Sequence, residues 1–118
     1  MDDILTNANK IIANADEIER LVDDLEDAAT AKAQSRADYA KAIAIEILKL
    51  KNGVTISFEE QAIIKPTADE RSKIAEAICY DEVFNKDAFD NLYKALIVKI
   101  DARKAIMNGY QSINKVIQ

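Results

Sequence analysis

The chain has 118 residues with no His, one Cys, two Gly, one Pro and a formal net charge of −5. That length fits a single domain, and so few turn-forming residues exclude a fold of many strands. The acidic balance argues against a general nucleic-acid binder, which works by neutralising phosphates. The lack of His removes His-based acid–base, nucleophilic and metal-ligand chemistry.

Residues 2–52 contain neither Gly nor Pro and read as one helix. Its apolar stripe runs Ile4, Ala8, Ile11, Ala15, Ile18, Val22, Leu25 and Ala29, a heptad seam that keeps one face toward a partner helix. Beyond Leu25 the same spacing reaches Lys32 and Arg36 among many alanines. A shift of register there would let the seam resume at Tyr39/Ala40, Ile43, Ile47 and Leu50. The alternative buries Lys32 and Arg36, which then need partners. Asn52-Gly53 ends the helix, since Gly accepts the left-handed backbone that closes a helix C-terminus. Lys49 and Lys51 complement the dipole there.

Residues 53–66 form the linker. Val54 to Ser57 is β-branched and expected to be extended. Ser57-x-x-Glu60 matches a capping box, so a short helix is expected from Ser57 to about Ile64, stopped by Pro66. Thr67-x-x-Glu70 is a second capping box, opening a helix over about 67–116. Its stripe is Ile74, Ile78, Phe89, Leu92, Leu96, Ile100, Arg103, Met107, Tyr110, Asn114 and Ile117, with an untidy stretch at 81–87 that could kink.

Two helices of matched length predict a long antiparallel hairpin in an all-α, coiled-coil-like fold. Charge agrees. Residues 1–30 carry nine acids against Lys10 and Arg20, a net of −7, while residues 94–118 net +4. An antiparallel hairpin lays these segments side by side, each at the helix end whose dipole favours it. Apolar residues remain beside the two stripes. Leu5, Ile12, Leu21, Tyr93, Ile97, Val98 and Ile113 are the candidate interface, expected to pair two hairpins into a four-helix bundle. A homo-oligomer, with a dimer favoured, follows from that breadth of apolar surface.

No catalytic residue, cofactor site or metal site is legible, and a non-enzymatic protein is expected. Cys79 alone makes neither a disulfide nor a structural zinc site, and reads as a buried thiol in a reducing compartment. The acidic patch Asp23, Asp24, Glu26 and Asp27 reads mainly as solvated charge. No run approaches the ~20 apolar residues of a membrane span, and no signal peptide is evident. A cytoplasmic protein without membrane contact is the expectation.

The run Arg36-Ala37-Asp38-Tyr39-Ala40-Lys41-Ala42, followed by Ile47-Leu48-Lys49-Leu50-Lys51 and a turn, resembles small helical-hairpin proteins of phages and prophages. So do Glu70-Arg71, Ile74-Ala75 and the closing Ile106-x-x-Gly-Tyr-Gln-Ser-Ile-Asn. Such proteins are encoded near recombination and replication genes. The resemblance implies an accessory or adaptor protein in the bacterial host cytoplasm, acting through protein contacts. Two alternatives stand beside it. One is an acidic inhibitor of a host defence nuclease that mimics nucleic acid; the other is a weak single-strand nucleic-acid binder using the Lys and Arg of residues 94–115.

Overall fold

The computed structural model describes residues 2–53, 56–58, 61–63 and 66–117. Helix α1 spans Asp2–Lys51, strands β1 and β2 span Ile56–Phe58 and Gln61–Ile63, and helices α2 and α3 span Ala68–Ile78 and Tyr80–Ile117. The two long helices pack against each other as the expected hairpin.

Helix α1 ends where the sequence places its end. Gly53 stands at φ +76°, and the amides of Asn52 and Gly53 donate to the carbonyls of Leu48 and Leu50 at 3.0 and 3.3 Å. Lys49 and Lys51 lie in the last turn. The connection does hold a short helix, but it is α2 and not residues 57–64. There β1 and β2 form an antiparallel pair, Ile56 opposite Ile63 and Phe58 opposite Gln61. Apolar, partly β-branched segments favour a ladder over one helical turn. Glu60, the far half of the Ser57 capping pattern, lies outside the described residues.

Helix α2 opens on the second capping box as read. The Thr67 hydroxyl accepts from the Glu70 amide at 3.2 Å, and the Glu70 carboxylate accepts from the Thr67 amide at 3.5 Å. The expected single helix from residue 67 onward is divided at Cys79, whose φ of −93° and ψ of +33° leave the helical range. The Cys79 amide still donates to Ala75 at 2.9 Å, and its carbonyl accepts from Val83 at 3.1 Å. The stretch 81–87, read as helix that could kink, is regular helix within α3.

The chain forms two compact units, Met1–Thr30 with Asn91–Gln118 and Ala31–Asp90. In the first, the start of α1 runs antiparallel to the end of α3. Leu21, Ala28, Leu96 and Ile100 form the core, with Ile18 and Leu25 packed on it. In the second, Leu50, Ala75 and Cys79 are the buried apolar residues among those described.

One row of the α1 seam, Ile4, Ile11, Ile18 and Leu25, lies where expected, and the other lies one residue from the expected one. Its inward row is Ile4, Ile11, Ile18, Leu25, Lys32, Tyr39 and Glu46, alternating with Asn7, Asn14, Leu21, Ala28, Ser35 and Ala42; all are buried or half-buried. Val22, expected on the seam, is 38% exposed, whereas Leu21, expected outside it, is 4% exposed. The row continues through Lys32 to Tyr39, and toward the end of α1 the seam passes to Ile43, Ile47 and Leu50, half-buried or buried as the shifted register expects, while Lys49 is exposed. In α3 Phe89, Leu96, Ile100, Met107, Tyr110 and Asn114 lie inward as expected, while Tyr93 takes the inward place expected of Leu92, and Arg103 and Ile117 are exposed.

Gly53→Ala should lower stability by about 1 kcal/mol, the cost of a Cβ in the left-handed region. No atom lies within 4 Å of that Cβ, so backbone strain is the whole effect. Urea denaturation followed by circular dichroism measures it, with the native spectrum unchanged.

Candidate protein-interaction surface

The polar residues of the seam decide which faces remain outside. Asn14 is buried, donating from Nδ2 to the Lys10 carbonyl at 2.8 Å and accepting at Oδ1 from Arg103 Nη1 at 3.4 Å. Lys10 lies 5.1 Å from the centre of the Tyr110 ring, and Asn114 Nδ2 donates to the Ile4 carbonyl at 3.5 Å. These contacts step in opposite directions along the two helices and fix their antiparallel register.

The acidic start of α1 does meet basic residues of α3. The Glu17 carboxyl is held below its usual range, first by the hydrogen bond from Arg20, then by the charges of Arg20, Arg103 and Lys99. Arg20 bridges Glu17 and Asp24, and its guanidinium is held in the charged form chiefly by Glu17. A shallow groove lined by Glu17, Arg20, Leu21, Lys99, Ala102 and Arg103 marks this side of the first unit.

In the second unit the seam charge is paired. Lys32 Nζ lies 3.1 Å and Arg36 Nη2 3.2 Å from the same Asp90 oxygen. The Lys32 side chain is only 20% exposed, while that of Arg36 reaches 58%. The reading with both cations buried therefore holds for Lys32 alone. Beyond this pair, Tyr39 donates to Glu76 at 3.2 Å with Lys86 Nζ 4.4 Å from its ring centre. Burial first, and that carboxylate second, raise the Tyr39 pKa. Cys79 is buried as expected, and burial first, then Glu82 and Glu46, push its thiol up, which suppresses the reactive thiolate.

Of the seven candidate interface residues, Leu5, Ile12, Ile97, Val98 and Ile113 are exposed. Leu21 and Tyr93 are not available to a partner: Leu21 belongs to the hairpin core, and Tyr93 is half-buried on the inner row of α3. The exposed residues also divide between two flanks. In antiparallel helices, the position following the Leu21 row in α1 and that following the Leu96 row in α3 lie on one side. Val22 and Ile97 occupy those positions, with Leu5 and Ile12 on the shoulder above them. Leu92, Ile106 and Ile113 lie on the opposite flank, where Ser112, Ile113, Val116 and Ile117 line a shallow apolar groove. Val22 and Leu92 were missed as exposed residues because those seam positions were placed one residue off, while Ile106 and Val116, which lie beside the α3 stripe, are exposed.

Asp23, Asp24, Glu26 and Asp27 are all exposed, with Asp24 engaged by Arg20. Among the described residues, no three Cys, Asp or Glu groups converge as a metal cluster, and no helix is long and apolar enough to cross a membrane. No protein-family model, curated protein or solved structure matches the chain.

Asp90→Asn should destabilise the fold by about 1–2 kcal/mol, because it removes the carboxylate charge that faces the Lys32 ammonium at a mostly enclosed seam position. Adding Lys32→Met removes that ammonium and should recover most of the loss. Denaturant midpoints of the two variants against wild type measure the difference.

Proposed function

We propose that the chain is a non-enzymatic adaptor that works by helix–helix contact with other proteins. One observation carries this reading: the hairpin pairs Asn14 with Arg103 across its seam and leaves exposed apolar residues on both flanks of the first unit. Contiguous apolar surface on a folded protein is the mark of an interaction site. The resemblance to phage and prophage hairpins gives the setting, an accessory role in phage DNA recombination or replication in the bacterial cytoplasm. The flank of α3 bearing Ile106, Ile113 and Val116 is the better surface for a different protein. Lys10 of α1, at the Tyr110 ring, stands beside this stretch, and Glu17 and Arg20 follow beyond it next to Lys99 and Arg103, so charged groups would form a polar rim.

A second reading, an acidic inhibitor of a defence nuclease, is favoured by the exposure of Asp23, Glu26 and Asp27 on one rigid helix. Photo-crosslinking separates the two. With benzoylphenylalanine placed singly at Ile113 or at Asp23 in the producing cell, the adaptor reading expects an adduct from Ile113 containing a recombination or replication protein. Adducts confined to Asp23 and containing a nuclease would move the function to the acidic face.

A further inference from the structure

We infer that the flank carrying Leu5, Ile12, Val22 and Ile97 takes a second copy of this chain, with α1 of each copy lying over α3 of the other. This rests on the helix-contact reading above and names the partner of one of its two flanks.

The argument starts from what each half of that flank presents. The α1 half offers Leu5, Ile12 and Val22 with the small side chains of Ala8 and Ala15 beneath them, which let a facing helix come close. Its acids are Glu19 and Glu26, both exposed. The α3 half offers Ile97 with Lys94, Lys104 and Lys115 against the single acid Asp101. One half therefore carries −2 and the other +2. A surface of this kind is self-complementary, and a two-fold pair uses the same patch on both copies.

Charge also selects the orientation. A two-fold axis across the helices would lay α1 on α1 and α3 on α3, acid over acid and lysine over lysine. A two-fold axis along the helices lays the acidic half of each copy over the basic half of the other. It has a second consequence. The Asn14–Arg103 and Ile4–Asn114 contacts set a register in which Val22 stands level with Ile97. The lengthwise axis stacks Val22 of each copy on Ile97 of the other, closing an apolar layer at the centre of a four-helix bundle. Glu26 of one copy then approaches Lys94 of the other, and Glu19 lies between Lys94 and Lys104, with Asp101 the one unfavourable neighbour. The area suffices: two 28-residue helical segments give a face about 42 Å long and about 20 Å wide, roughly 800 Å² per copy, the size of a standard stable interface.

The test places single cysteines in the full chain on a Cys79→Ala background, one preparation carrying Val22→Cys and the other Ile97→Cys. The two are mixed, left to exchange and oxidised. The expected result is a cross-linked species of twice the 13.1 kDa chain mass from the mixture and little from either preparation alone. Wild-type protein should have that doubled mass by light scattering at micromolar concentration, and Glu19→Lys with Glu26→Lys should weaken dimerisation at least tenfold with unchanged circular dichroism. Cross-linking of Val22→Cys alone in excess of the mixture would overturn the α1-over-α3 arrangement. A wild-type mass of 13.1 kDa would overturn self-association altogether. Neither outcome touches the adaptor reading, which stands or falls on the Ile113 adducts.

Discussion

Everything in this molecule depends on a heptad seam that is not wholly apolar. Leu21, Ala28, Leu96 and Ile100 supply the hydrophobic stabilisation in the first unit. Asn14 is buried in the same row, with Ser35 further along it, and Lys32 sits in the alternate row, each with a partner. Polar residues at such positions stabilise less than leucine would. Asn14 and Lys32 meet Arg103 and Asp90 of the other helix in one alignment only and so act chiefly on register, whereas Ser35 bonds the Lys32 carbonyl of its own helix. Asn14 finds Arg103, and Lys32 finds Asp90; sliding one helix by a turn would part both pairs.

The same feature explains how much of the structure was legible. The helix ends were plain, because Gly53 and the Thr67–Glu70 box act locally and tertiary packing need not be known. The antiparallel hairpin was legible from matched lengths and from charge, and Glu17 beside Lys99 and Arg103 shows that charge match at work. The seam was displaced by one residue because a reading by hydropathy prefers Ala15 and Val22 to Asn14 and Leu21. Asn14 is buried only because its amide is satisfied by the Lys10 carbonyl and by a residue of the other helix, and nothing near it in sequence announces Arg103. For the same reason nothing near Lys32 announces Asp90, which holds it on the seam; the shift read from Lys32 comes later, where Ile43, Ile47 and Leu50 turn inward. The linker strands were hidden by a capping pattern that competes with β-branched propensity over only a few residues.

The one-residue rotation matters for the surface. It removes Leu21 and Tyr93 from the candidate interface and adds Val22 and Leu92. It also resolves a single broad apolar face into two flanks of different character. One is flanked by acids on α1 and lysines on α3, matched to a second copy. The other joins an apolar α3 to a charged α1, which suits an unlike partner. A chain of this size could thus assemble with itself and still engage a second protein.

The placement of Leu21 inside and Val22 outside is the point on which the seam, the flanks and the interface all turn. Methyl-resolved nuclear Overhauser spectroscopy tests it most directly. The account predicts cross-peaks from the Leu21 methyls to the methyls of Leu96 or Ile100 within one chain. Cross-peaks to Leu96 from Val22, with Leu21 showing none, would contradict it.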